Sequence, residues 1–164
     1  MNCLYDPDVT NTGWQPLGFD QYCVFYSKYW VRGFKFSLKI MSRTSNAYIT
    51  VGVLPTLVST NITDRDTLLN QKNVRWKTLS AMDSGNGISS AYFNGYYKLS
   101  SFLGNKLEED LDAANTNTVP SREMYFKIFV YNPIDNVSVA ALCTFELKMT
   151  YYCKFYKPSL VDLS

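Results

Sequence analysis

Hydrophobic and polar positions of this chain alternate with a period of two over long stretches. Phe34, Phe36, Leu38 and Ile40 interleave with Lys35, Ser37 and Lys39, and Arg43 continues the polar series. Successive strand side chains point to opposite faces, so residues 29–42 predict a strand with one buried face and one basic, wet face. Residues 48–54 predict a second strand, stopped by Pro55. Residues 74–79 predict a third, with Val74, Trp76 and Thr78 alternating with Arg75, Lys77 and Leu79. Residues 92–99 predict a fourth, broken by Gly95. A fifth, 123–131, sets Met124, Phe126, Ile128 and Val130 against Tyr125, Lys127, Phe129 and Tyr131. After a turn at Asn132-Pro133-Ile134-Asp135-Asn136, residues 142–156 predict the longest strand, closed by Pro158. On it Leu147, Met149, Tyr151, Cys153 and Phe155 oppose Lys148, Thr150, Tyr152, Lys154 and Tyr156.

Helical periodicity is scarce. Residues 67–71 predict one short helix. Residues 104–114 predict another, where Leu103, Leu107 and Leu111 recur every four residues around Glu108, Glu109, Asp110 and Asp112. Many strands without a strand–helix–strand rhythm predict an all-β antiparallel sandwich or barrel. The polar loops 55–72, 80–90 and 105–121 are expected to be surface decoration or contacts between subunits.

At 164 residues the chain is expected to be one domain, and 46% hydrophobic content is ample for a core. Aromatics make up 16%, with 13 Tyr and 10 Phe, which suits both strands and protein interfaces. A net charge of +2 is too mild to mark a nucleic-acid binder, so any polyanion contact must rest on local patches.

The chain has no histidine, which removes His-based triads, a His general base and His-ligated zinc. Cys3, Cys23, Cys143 and Cys153 form no CxxC pair and are expected to stay reduced, with Cys153 a buried thiol. No apolar run approaches the about 20 residues that cross a bilayer, so no membrane insertion is expected. The first eight residues lack the basic start and apolar stretch of a signal peptide.

Candidate chemistry is sparse. Lys35, Lys39 and Arg43 form a basic stripe that could touch phosphates or simply meet solvent. Lys148, Tyr152, Lys154 and Tyr156 mix cations with rings, as stacking platforms for single strands do. Asp6, Asp8 and Asp20 could suggest an oxygen-ligated cation, although Asp-Pro-Asp is more often a turn, and no metal is expected. Asn61-Ile62-Thr63 and Asn136-Val137-Ser138 are chance matches to the glycosylation pattern, and Ser84-Gly85-Asn86-Gly87 reads as a turn. Asp64, Asp66 and Asp83 join the other aspartates in predicted loops, so paired-carboxylate catalysis finds no footing and no enzyme is expected.

Three segments, in order, carry a resemblance. Gln15-Pro16-Leu17-Gly18-Phe19-Asp20-Gln21 is followed by Tyr26, Tyr29, Val31 and Gly33. Phe93-Asn94-Gly95-Tyr96-Tyr97-Lys98-Leu99 is followed by Phe102-Leu103-Gly104. The third is the final strand, Phe145–Pro158, aromatic and closed by a proline. Together they resemble capsid proteins of the circovirus-like group of circular single-stranded DNA viruses.

The resemblance implies an eight-stranded antiparallel jelly roll, its first strand short or missing. Residues 1–28 would be a lead-in, 29–156 the β-core and 157–164 a tail. It implies self-assembly of about 60 copies into a T=1 icosahedral shell around the genome. It also implies a host receptor, no cofactor, and a place in the virion and in the host nucleus and cytoplasm. Relatives carry an Arg-rich arm that binds DNA; this sequence is expected to lack it. A lectin-like β-sandwich is the alternative, with Tyr92, Phe93, Tyr96 and Tyr97 as aromatic loops stacking on a sugar.

Overall fold

The computed structural model describes residues 3–5, 7, 15–43, 48–80, 89–103, 113–133 and 143–159. The elements run α1 (Phe19–Phe25), β1 (Tyr26–Ser42), β2 (Ile49–Thr56), α2 (Arg65–Leu69), β3 (Arg75–Leu79), β4 (Ser90–Lys98), α3 (Ser100–Leu103), β5 (Ala113–Asn115), β6 (Tyr125–Tyr131) and β7 (Cys143–Pro158). The chain is mostly β, with two antiparallel sheets. One holds the order β4-β1-β5 with β7 also paired to β1; the other is β3-β2-β6.

The alternation of β1 survives folding. Phe34, Phe36, Leu38 and Ile40 are all buried, while Lys35 and Ser37 are exposed. β1 also begins at Tyr26, earlier than its pattern suggests, and its 17 residues exceed the 16 of β7, which was expected to be longest. β2 runs through Pro55 to Thr56 instead of stopping before it. The β2–β3 ladder closes at Val53↔Arg75, so the missing N–H of Pro55 removes no bond from it.

β4 runs unbroken through Gly95. A Cβ there would stand 2.9 Å from the Phe36 ring, so the glycine admits that ring and does not end the strand. Two helices were not anticipated. α1 forms in what the sequence presents as an aromatic lead-in, and α3 is a single turn after β4. α2 matches the short helix expected near residue 67, with Asp64 accepting from Thr67 N–H at 2.7 Å as its N-cap. Of the helix expected at 104–114 only residues 113 and 114 are described, and they begin strand β5, paired with β1, instead of ending a helix.

The chain divides into two compact units. The first comprises Met1–Phe34, Tyr96–Tyr125 and Thr150–Ser164; the second comprises Lys35–Gly95 and Phe126–Met149. In the first, Tyr29 is the centre. Its ring meets Phe19 edge-on at 5.4 Å and Phe155 at 6.4 Å. Its hydroxyl donates to Thr118 O at 3.1 Å and accepts from Leu4 N–H at 3.2 Å. Burial and the neighbouring Cys3 push the Tyr29 pKa far up.

In the second unit both faces of β6 are covered. Phe126 meets Phe36 at 4.6 Å on one face. On the other, Phe129 and Tyr131 pack with Leu54 and Leu68, flanked by Ile62, Leu69 and Val74. The loop expected over residues 55–72 as surface decoration or a contact between subunits therefore lends Leu68 to the core, although most of its residues are exposed. Tyr131 Oη donates to Ile62 O at 2.6 Å, Arg65 Nη1 to Pro133 O at 2.7 Å, and Lys127 Nζ to Ser59 O at 3.2 Å and to Thr60 O. Polar groups of the loop find partners on or beside β6, which offsets the desolvation of docking it there.

β3 is an edge strand and is exposed from Arg75 to Thr78, so its expected one-sided burial is limited to Leu79. Its cations turn onto β4: Arg75 Nη1 donates to Asn94 O at 2.8 Å, and Lys77 Nζ lies 5.8 Å from the Phe93 ring centre. Inward-turned charge on an edge strand discourages further strand pairing.

Candidate nucleic-acid interface

In the second unit, Lys35 and Lys39 lie on β1 and Arg43 just beyond it. Lys35 and Arg43 are exposed and have no ion-pair partner among the described residues. Lys39 is half-buried, its Nζ 5.7 Å from the ring centre of Tyr92. That tyrosine is 56% exposed, so the cation and one ring face stand together at the surface. Lys148, on β7, is exposed.

In the first unit, Tyr152 is exposed and meets Tyr96 edge-on at 5.5 Å. Lys154 Nζ lies 5.6 Å from the ring centre of Tyr156, two residues along β7. The expected residues thus form two cation–ring pairs and one ring pair, together with three separate exposed cations. A cation can neutralise phosphate while an exposed ring stacks on a base, which are the two elements of single-strand binding; Tyr92 offers such a ring, whereas Tyr156 is half-buried with its hydroxyl inside.

Two participants went unassigned in the nucleic-acid reading of the sequence: Tyr92 and Tyr96. The signal was present in β4, whose alternation buries Ala91, Phe93 and Tyr97 and exposes Tyr92, Asn94, Tyr96 and Lys98. This arrangement corrects the expected placement of four aromatics in loops. Tyr92, Phe93, Tyr96 and Tyr97 lie on a strand and not in loops, and alternation turns Phe93 and Tyr97 inward.

The acidic residues take structural positions. Asp20 lies in the first turn of α1, Asp66 pairs with Arg65 at 2.9 Å within α2, and Glu123 accepts from the Tyr125 hydroxyl. Asp20 and Asp66 are therefore in helices, where loops were expected. Asp6, Asp8, Asp83 and the segments 84–87 and 136–138 lie outside the described residues. Among the described residues no three Cys, Asp or Glu side chains gather as metal ligands.

The described cysteines are free. Cys153 is exposed, correcting the expected buried thiol. Burial raises the Cys143 pKa to about 11. No helix among the described residues is long and apolar enough to cross a membrane. Comparison with protein-family models and with curated proteins gives no match.

Proposed function

We propose that the chain is a structural subunit of a small icosahedral capsid, built on a jelly roll and enclosing circular single-stranded DNA. The strand order carries this reading. A jelly roll is a doubled Greek key, in which the chain folds back on itself in nested pairs. Here β2 pairs with β3, and β1 pairs with β4 around it. The later strands then return beside the early ones, β6 along β2 and β7 along β1. The sets β7-β1-β4 and β6-β2-β3 fit six of the eight strands of that roll, with short β5 in the connection before β6.

A fold alone does not assign function. Two further features support the reading. One is the ordered resemblance of three segments to circovirus-like capsid proteins. The other is apolar surface that a monomer would have to leave wet. In the first unit Tyr22, Val24 and Phe25 on α1 are 53%, 61% and 60% exposed. Exposed apolar side chains grouped on one element mark contact surfaces.

The mechanism is geometric: weak contacts repeated about rotation axes close a shell. Lys39 with the exposed ring of Tyr92 is the pair best suited to meet the genome, and the exposed Lys154 adds a further cation. On this reading the protein does no chemistry and needs no cofactor. Size-exclusion chromatography with negative-stain microscopy at moderate salt tests it. Uniform hollow spheres of the smallest icosahedral size are expected. A stable monomer or trimer would overturn it and favour a small binding module.

A further inference from the structure

β7 and β3 contrast as strand ends of their sheets. β3 turns Arg75 and Lys77 onto β4, as described above. β7 pairs with β1 alone among the described strands. From Thr144 to Lys148 every residue is exposed, including Phe145 at 60% and Leu147 at 36%. Glu146 and Lys148 have no ion-pair partner among the described residues. An exposed apolar strand with a free hydrogen-bonding edge is a template for another strand.

The sequence of this stretch is complementary to itself. We infer that β7 pairs antiparallel with β7 of a second copy, in a two-fold register centred on Leu147. In that register Leu147 faces the partner's Leu147. Phe145 faces the partner's Met149, a favourable ring–sulfur pairing. Glu146 faces the partner's Lys148, and symmetry makes this ion pair twice. The two exposed charges without ion-pair partners among the described residues are therefore neutralised by the same two charges of the other copy. Cross-strand pairs of opposite charge stabilise, and like charges opposite one another destabilise. This pairing occupies Lys148, which removes it from the nucleic-acid candidates. It stands whether or not a closed shell forms.

The test is a charge swap in the full chain, read by sedimentation velocity as the concentration at which monomer gives way to larger species. Glu146→Lys alone puts lysine against lysine twice, and Lys148→Glu alone puts glutamate against glutamate twice. Each should raise that concentration at least about fivefold. The double variant E146K/K148E restores both pairs and should return it close to the native value. Circular dichroism checks that each variant keeps its β signature.

A native chain that stays monomeric up to about 100 µM overturns the inference. So does a double variant as weak as the single ones, because a register centred elsewhere would not be repaired by the swap. The two readings fail separately. Dimers that never form shells would sink the capsid proposal alone, and shells indifferent to both single variants would sink this pairing alone.

Discussion

β6 and the first half of β7 are written in the same alphabet. Tyr125-Phe126-Lys127-Ile128-Phe129-Val130-Tyr131 and Phe145-Glu146-Leu147-Lys148-Met149 both alternate apolar with polar or aromatic residues. In β6, Phe126, Phe129, Val130 and Tyr131 are buried, on both faces of the strand; in β7, Phe145 and Leu147 remain exposed. Alternation fixes which side chains share a face, and only elements packed on from elsewhere in the chain decide whether that face is covered. For β6 the cover is the α2 loop, brought down by Leu68 and pinned by hydrogen bonds.

The largest test of that contrast is truncation of one aromatic on each strand. Phe129→Ala should cost about 3–5 kcal/mol, because the ring fills the space among Leu54, Leu68 and Tyr131 and leaves a cavity behind. Phe145→Ala should stay within about 0.5 kcal/mol in dilute solution, because water already covers most of that ring. Urea unfolding at low protein concentration measures both. Equal costs would mean that β7 is covered in solution and would collapse the comparison.

The next effect is alkaline. Tyr151 is only half-exposed among the exposed residues of β7, and burial followed by the nearby Cys3 raises its pKa to about 12. The folded state therefore holds this proton more tightly than an unfolded tyrosine, whose pKa is about 10. Its contribution is fully present below pH 10 and is lost as pH rises towards 12. Over that window stability should fall by roughly 1.4 kcal/mol per pH unit for this group alone. Tyr151→Phe should flatten the slope in denaturant titrations taken at pH 9, 10 and 11. An unchanged slope would mean that Tyr151 titrates normally and that β7 is as wet there as at Phe145.

These contrasts show what the sequence carries and what it does not. Six of the seven described strands were legible, because period-two patterns are local; the three-residue β5 was not. Phe34, Phe36, Leu38 and Ile40 lie buried as their alternation demands. Covering is not local. α1 has seven residues and no side-chain cap, too little to form by itself, and it exists beside Phe155, on which Tyr22 stacks at 4.9 Å. No pattern within residues 19–25 announces a partner more than 100 residues away. Cys153 shows the converse: its alternation with Tyr151 and Phe155 suggests burial, yet among the described residues the cover that α1 gives Phe155 does not bury Cys153. The same holds for the candidate interface. Lysines next to aromatics were visible along each strand, whereas Tyr92 beside Lys39 required strand pairing.

A smaller effect tests the cover of β6 directly. Asp64→Ala removes the N-cap of α2, and Thr67 N–H loses its acceptor. The expected cost is about 1 kcal/mol. Because α2 holds Leu68 over Phe129, the loss should appear as faster amide exchange in the loop from residue 57 to 74, with the exchange of β2 unchanged. Uniform acceleration through the second unit would show that loop and sheet open as one, and the cover could not be treated as a separate layer.

The smallest effect separates two lysines that look alike in the sequence. Lys127 of β6 is committed to the cover, donating to the Ser59 and Thr60 carbonyls, and burial lowers its pKa. Lys39 of β1 instead stands beside the exposed ring of Tyr92. If charge beside an exposed ring is what meets DNA, Lys39→Ala should weaken binding of a short oligothymidylate several-fold. It should also lower the salt slope of binding by about 0.7, the value for one phosphate on a single strand. Lys127→Ala should leave affinity and slope alone and cost about 1 kcal/mol of stability. Fluorescence anisotropy over a salt series gives the first pair of numbers and thermal unfolding the second. If both variants lower the slope equally, DNA is responding to total charge, and the pairing of cation with ring on β1 and β4 is only a feature of the folded surface.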